Sequence, residues 1–244
     1  MPKGSKMKVK VIGNGFSWLT RPNTSFLIDD ETLLDVPQSC TKFMFGKVDF
    51  SKIKHIFITH FHSDHFADLH LFYDIFKRLD LPYRVKVVAP KTALKHLVML
   101  CKALDLKRDK KKILKIFEFV ELKPGAKIEL DEYEIETFKT EHNVPHSLAY
   151  AIKRKGDEKT IGFTGDSILC QGVLDLIERS DVIFIDTTAV HNKHKSHMNV
   201  DEVLSLQKKF FGKEFHSIHV PDFSVENLKE ELHIPDCMEV LNFK

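Results

Sequence analysis

The sequence predicts a mixed α and β protein built from two similar αβ halves packed face to face. Three observations carry that prediction. The first forty residues alternate and turn in the manner of an antiparallel sheet. A strand, helix and strand then follow one another once in each half of the chain, over 55–90 and again over 159–186. No stretch rich in Pro, Gly or Ser separates the halves, so the 244 residues are expected to form one domain, 1–244.

Residues 7–12 (Met-Lys-Val-Lys-Val-Ile) alternate as a strand, and Gly13-Asn14-Gly15 turns it. Residues 25–28 and 32–35, joined by Asp29-Asp30, read as a hairpin. A helical turn over 49–53 leads into the apolar strand 55–59. Residues 64–79 place Phe66, Leu69, Phe72, Tyr73 and Phe76 at helical spacing. A strand over 85–90 and a helix over 94–104, capped by Thr92, come next. The run 102–115 is strongly basic; without interleaved aromatic residues it reads as a solvated face, with a phosphate-steering patch as the alternative. Three strands follow over 117–120, 127–130 and 133–140. Residues 159–165 form a further strand, 172–179 a helix and 182–186 a strand. A helix opens at 199–203 with Asp201 and Glu202 in its first turn, where they suit the helix dipole. Residues 217–220 are read as a strand, 226–232 as a helix and 238–243 as a closing strand.

The composition, 43% hydrophobic and 30% charged, is that of a globular protein. No apolar run reaches the ~20 residues a membrane span needs, and the basic N-terminus lacks the apolar core of a signal peptide. Cys40, Cys101, Cys170 and Cys237 are isolated, which fits reduced thiols and a cytoplasmic setting. A net charge of +2 gives no global drive towards nucleic acid.

The chemistry concentrates after the strand 55–59. There His60-Phe61-His62-Ser63-Asp64-His65 places four metal-binding side chains in six residues. A neutral imidazole is a common metal ligand, and a carboxylate adds negative charge that a dication favours. Three more candidates stand where strands end: His142 after 133–140, Asp166 after Gly165, and His219 in 217–220. Strand ends on one edge of a sandwich can converge.

The pattern His-x-His-x-Asp-His resembles the signature of the metallo-β-lactamase-fold hydrolases. Further motifs extend the resemblance over nearly the whole chain: His142 followed by Asn-Val-Pro, Thr164-Gly165-Asp166-Ser167, and His219. The resemblance implies a four-layer αββα sandwich of two mixed sheets with helices outside. It also implies two divalent metal ions, zinc first, with manganese or iron as substitutes. His60, His62 and His142 would hold one ion, Asp64, His65 and His219 the other, and Asp166 would bridge them. Asp64 is carried as a catalytic residue as well. A His at position 62, where redox members of the family have a carboxylate, favours hydrolysis. Two dications sharing one water would lower its pKa from ~15.7 towards ~7 and supply hydroxide at neutral pH.

His197 lies 22 residues before His219, at the start of a helix, in Ser196-His197-Met198-Asn199. That spacing resembles the ribonuclease Z-like phosphodiesterases and implies His197 as general acid. The carboxylate that would orient it is not identified. His146 is an alternative ligand or substrate contact; His191 and His194 could touch an anionic substrate. His216 is read as lying deeper on the last strand, His70 as structural or exposed, and His55, His96 and His233 as structural. Only 24 residues separate His142 from Asp166, and they must already hold two strands, so the tRNA-gripping arm of ribonuclease Z has no room. Cys40 alone cannot build the extra structural metal site of some relatives.

The expected activity is therefore phosphodiester hydrolysis on a small nucleotide, cyclic nucleotide or cyclic phosphate. The alternatives are a carboxyl-ester, lactone or thioester hydrolase, an RNA endonuclease disfavoured by the missing arm, and a non-catalytic metal-bound sensor. A small phosphodiester is the expected partner and no membrane is; nucleic acid is left open, and a homodimer follows from the resemblance alone.

Overall fold

A computed structural model describes residues 6–16, 20–190 and 192–243. The N-terminal half builds strands β1 (Met7–Gly13), β2 (Ser25–Ile28), β3 (Thr32–Leu34), β4 (His55–Phe57), β5 (Val85–Pro90) and β6 (Phe117–Leu122). The C-terminal half builds β7 (Lys127–Leu130), β8 (Tyr133–Lys139), β9 (Leu148–Arg154), β10 (Ile161–Phe163), β11 (Val182–Asp186) and β12 (Glu214–Ile218); β13 (Val240–Phe243) returns to the first half. Among the described residues these form a seven-stranded sheet, β13-β1-β2-β3-β4-β5-β6, and a six-stranded sheet, β12-β11-β10-β9-β8-β7. Both are mixed: β1, β2 and β3 pair antiparallel while β3 to β6 run parallel, and β7 to β10 pair antiparallel while β10 to β12 run parallel.

The period of two along each strand decides the layering. Phe57 and Val88 face the other sheet, where they pack with Tyr150, Phe163 and Phe184. Their neighbours Ile56 and Val87 face outward, onto α3 (Leu69–Leu79), α4 (Ala93–Ala103) and α5 (Lys110–Ile116). In the second sheet Ile183 and Ile185 turn outward onto α6 (Gln171–Arg179), α7 (Val200–Lys209) and α8 (Asp222–Leu228). Helices therefore cover both outer faces, which is the expected αββα order. The shorter helices α1 (Cys40–Met44) and α2 (Ser63–Phe66) lie on the first half.

Four elements differ from the sequence reading. The helix expected over 64–79 is two, α2 and α3. The break falls at Asp68, whose carboxylate accepts from Ser39 N, Thr41 N and Thr41 Oγ1 and so ties the chain to α1. Thr92 precedes α4 in a left-handed conformation, φ 77°, and its hydroxyl meets His96 rather than capping the helix. The strand expected over 217–220 is β12, which stops at Ile218, its last residue in parallel register with β11; His219 leaves at φ 58°. The helix expected over 226–232 is α8, which starts at Asp222 because that carboxylate is held by Thr20 and Arg21. The interval between His142 and Asp166 holds β9 and β10. The basic run becomes the end of α4, a loop and α5; Arg108 pairs with Asp74 and donates to His70 O.

His55 is a structural residue, buried between Thr32 Oγ1 at 2.9 Å and Asp131 Oδ2 at 2.7 Å. His70 is half-buried and meets Ala67 O, and His96 stacks on Phe61 with centroids 4.0 Å apart. His216 is fully buried, stacked on Phe184 at 4.8 Å and 4.3 Å from His233, with Nε2 on Glu214 at 2.9 Å. Burial, then the neighbouring His233, pushes its pKa down to about 4. The fold thus favours the neutral ring: its contribution is complete above the unfolded pKa of ~6.5 and is lost as pH falls towards 4. Urea denaturation should show stability falling by about 3 kcal/mol more between pH 6.5 and 4 in the wild type than in His216→Leu.

Candidate metal centre

The seven ligands that the resemblance implies meet at one rim of the sandwich. His60 follows β4, His62 stands at the N-cap of α2, and Asp64 and His65 occupy that single helical turn. His142 follows β8, Asp166 follows β10, and His219 follows β12. Two backbone turns aim the last two. Gly165 adopts φ 57°, and a Cβ there would lie 2.9 Å from Thr59. His219 holds φ 58°, an uncommon conformation for a residue with a side chain.

The ligating atoms of His60, His62, His142 and Asp166 all lie within 4.8 Å of one another, and so do those of Asp64, His65 and His219. Asp166 joins the two groups. Its Oδ2 is 3.8 Å from His60 Nε2, 3.8 Å from His142 Nε2 and 3.6 Å from His219 Nε2, and its Oδ1 is 3.3 Å from His65 Nε2. Asp64 Oδ2 is 3.5 Å from His219 Nε2 and 4.0 Å from His65 Nε2. Two donors bound at ~2.0–2.1 Å to a tetrahedral ion stand about 3.4 Å apart, so these separations suit atoms that share an ion.

The groups behind the rings set which nitrogen carries the proton. Asp35 accepts from Thr59 N and Thr59 Oγ1, each at 2.8 Å, and His65 Nδ1 donates to it at 2.7 Å. The Thr59 hydroxyl is then left to accept from His60 Nδ1 at 3.0 Å. The second half repeats the device. Asp186 accepts from Thr188 N at 3.1 Å and Thr188 Oγ1 at 2.6 Å, and His197 Nδ1 donates to it at 2.8 Å. The Thr188 hydroxyl accepts from His219 Nδ1 at 2.7 Å. Finally His142 Nδ1 donates to Ser196 O at 2.9 Å. With these Nδ1 protons engaged outward, Nε2 of His60, His65, His142 and His219 face the centre with lone pairs.

That arrangement asks for a cation. The Nε2 atoms of His65 and His219 are buried without a hydrogen-bond partner among the described residues. His62 Nδ1 sits 3.0 Å from His60 Nε2 and 3.1 Å from His142 Nε2, and one proton cannot satisfy three inward lone pairs. The carboxylates of Asp35, Asp64, Asp166 and Asp186 are buried, and their ion-pair partners are all histidines. Burial holds His60 well below the usual histidine range, and it lowers His142 and His62 as well. Burial would raise Asp166, but His219 and His65 hold it well below the usual carboxylate range; Asp64 is lowered by the same two rings against its own burial. Against burial, Asp166 and Asp35 in turn hold His65 well above the usual histidine range, so a proton on that ring stands in for the positive charge that a dication would bring. Neutral imidazoles and ionised carboxylates are the forms that ligate.

His197 belongs to this centre too. Its Nδ1 is 2.8 Å from Asp186 and 3.9 Å from Asp166, and its ring stacks at 5.3 Å on His219. Burial works against its proton, but the Asp186 carboxylate raises its pKa to about 9. Phe16 meets both rings edge-on, at 6.3 Å from His197 and 5.1 Å from His219. His146 is exposed and outside the cluster. His194 is exposed too, although its ring lies 5.0 Å from that of His197, and His191 lies outside the described residues. Asp35, Thr59, Asp186 and Thr188 went unread in the sequence; the signal for Asp186 was its position at the end of an apolar strand.

Metal-replete protein should carry two divalent ions per chain by mass spectrometry, falling to one or none in Asp166→Ala. Because ions at high occupancy stabilise only the folded state, by about 4 kcal/mol at a thousandfold excess over Kd, chelation should lower the melting midpoint by about 8–16 °C.

Comparisons with known proteins identify the fold and the family. The chain resembles a metallo-β-lactamase fold protein, YhfI from Bacillus subtilis, with a TM-score of 0.80 and 20% identity over 97% of this chain and 99% of that one. It resembles the short form of human tRNase Z with a TM-score of 0.76 and 17% identity, over 98% and 100%. A diphosphatase from the PhnP family gives a TM-score of 0.77 and 18% identity, over 98% of each chain. In sequence it is 30% identical over 158 residues to ribonuclease Z of Thermoplasma acidophilum, which covers 62% of this chain; the chain spans about half the length of that relative, 49%. Residues 7–230 match the family described as Anti-Pycsar protein Apyc1. The chain has the metallo-β-lactamase fold and belongs to the Anti-Pycsar protein Apyc1 family.

Proposed function

We propose that this chain is a dinuclear metal-dependent phosphodiesterase acting on a small nucleotide, cyclic nucleotide or cyclic phosphate. The observation that carries the reading is the buried His197–Asp186 pair, set beside the ligand cluster and raised to hold a proton at neutral pH. Hydrolysis of a phosphodiester breaks one P–O bond and expels an alkoxide, and a positioned acid is what that departure needs.

In this reading His60, His62 and His142 hold one ion, Asp64, His65 and His219 hold the other, and Asp166 lies between. Zinc suits the donors, and manganese or iron fit them as well. When bound, such a pair acidifies water and offsets charge on the substrate's oxygens. The rest of the chemistry belongs to the chain. Asp186 holds His197 Nδ1–H, which leaves Nε2–H to pass its proton to the leaving oxygen. Ser167 N, at 3.1 Å, and both donors of Thr188 fix that carboxylate in turn. Asp64 is assigned the ligand role, since its Oδ2 faces His219 and His65, and the acid role falls to His197. The names of the relatives, ribonuclease Z, tRNase Z and a diphosphatase, describe cleavage at phosphorus and support a phosphoester substrate. Processing of tRNA is disfavoured because β9 and β10 fill the interval in which an arm would be inserted.

His197→Ala should reduce turnover of a dinucleotide phosphodiester, whose alkoxide leaving group needs the proton, by about 10²–10⁴ with metal content unchanged, and should slow bis-p-nitrophenyl phosphate, whose nitrophenolate departs unprotonated, far less. Asp186→Asn, which loosens the hold on that ring and on Thr188 behind His219, should cost about 10–100-fold or more. If the His197 variant keeps full phosphodiester turnover, or if a lactone panel is cleaved faster than the phosphodiester and independently of His197, the carboxyl-ester reading replaces this one.

A further inference from the structure

Asp186 fixes one atom of the proposed acid and leaves the plane of its ring undetermined. The hydrogen bond at Nδ1, 2.8 Å long, pins His197 at a point, and the ring torsion of a histidine is soft. Aiming Nε2 needs a second restraint. The ring is buried and lies nearly parallel to that of His219, with centroids 5.3 Å and planes 17° apart. Phe16 stands across both. Its plane makes 88° with His197 and 84° with His219, at 6.3 Å and 5.1 Å. Among the described residues it is the one carbocyclic ring that meets either imidazole. Aromatic rings attract edge-on at ~4.5–7 Å, so Phe16 opposes rotation of the stacked pair. His142 and His194 also border the acid, but the first is engaged through Nδ1 with Ser196 O and the second is exposed.

The backbone that carries Phe16 is fastened to the backbone that carries His219. Gly15 bridges both Asn23 and Val220, and Val220 N donates to Asn14 O at 3.2 Å. Val220 is the residue directly after His219. Only glycine permits the approach at 13, where a Cβ would lie 2.4 Å from Pro22 O and from Asn23 O. Arg21 closes the unit. Its Nη1 donates to Asn14 Oδ1 at 2.7 Å, its Nη2 to Val220 O, and its Nε to Asp222 Oδ1 at 2.7 Å. Asn14, Asn23 and Val220 are buried, so these bonds are sheltered from water. They do nothing for the imidazole protons of His219 and His142, which Thr188 and Ser196 already place. What they fix is the origin of the Phe16 side chain relative to the ring on which the acid is stacked.

We propose that Phe16 is a positioning residue for the acid: set edge-on across His197 and His219, it holds the plane of His197 so that Nε2–H meets the leaving oxygen. The proposal rests on the phosphodiesterase reading, with His197 as its acid. Phe16 touches no reacting atom and acts through His197 alone. Its effect is therefore confined to the step that consumes the proton. A departing alkoxide feels the loss of aim, whereas a nitrophenolate, which departs unprotonated, feels far less of it.

The test compares kcat on adenosine 3′,5′-cyclic monophosphate, which expels an alkoxide, with kcat on bis-p-nitrophenyl phosphate, in metal-replete protein. In Phe16→Ala the ratio of the first to the second should fall by about 10–100-fold, the cost of a catalytic group displaced by ~1 Å, with metal content unchanged. Phe16→Tyr, which keeps the ring, should bring the ratio back to within about threefold of the wild type. The Nδ1–H proton of His197, assigned by its disappearance in His197→Ala, gives a readout apart from turnover. Its exchange with water should be about tenfold faster or more in Phe16→Ala. Equal losses on the two substrates, a Tyr variant no better than the Ala variant, or unchanged proton exchange overturns the proposal. If His197→Ala shifts the ratio and Phe16→Ala does not, the proposal falls and the phosphodiesterase reading stands. If His197→Ala leaves the ratio unchanged as well, both fall.

Discussion

The centre depends on a hydroxyl and a carboxylate placed behind each pair of imidazoles. In the first half Asp35 holds His65 and, through Thr59, directs His60; in the second half Asp186 holds His197 and, through Thr188, directs His219. A ring nitrogen serves a metal only if its proton is on the other side, and these two clamps put it there. The same device gives different results because of where it sits. His65 faces Asp166 at 3.3 Å, where a ligand would stand, whereas the matching His197 has its Nδ1 3.9 Å from Asp166, in the place proposed for the acid. Two buried carboxylates behind the centre, together with Asp64 and Asp166 within it, make the rim a place where positive charge is favoured.

The sandwich supplies what the clamps require. Thr59 and Thr188 each stand just past the end of a parallel strand, β4 and β11, and Asp35 just past the end of another, β3. Parallel strands bring their C-terminal ends to the same edge, so residues distant in sequence arrive at one rim without long loops. The cost is local. Asp35 and His219 both adopt positive φ, 57° and 58°, which side chains other than Gly favour little. The dense hydrogen bonding around each of them over-determines the strained conformation.

Much of this was legible from residue order. The apolar runs named the strands, and a polar residue closing an apolar run marked His60, His142 and Asp166 as rim positions. His219 was read as a candidate ligand but with the wrong local structure, because Ser217-Ile218-His219-Val220 alternates as a strand while the ladder with β11 stops at Ile218. The helix over 64–79 kept its apolar period across Asp68, and only the tie of that carboxylate to Ser39 and Thr41 shows the break. Asp35, Thr59 and Thr188 were beyond reach for a different reason. They are common residues at common places, and they gain their role from partners about 25–30 positions away, a relation that no local pattern carries.

The doubled clamp has a consequence for how the protein comes into being. Each candidate donor group draws on both halves: His60 and His62 from the first with His142 and Asp166 from the second, and Asp64 and His65 from the first with His219 from the second. A nascent chain with only its first sheet made presents loose, low-affinity donors. On the proposed metal reading, tight capture would begin only once the sandwich has closed, so loading with metal would record that assembly has finished.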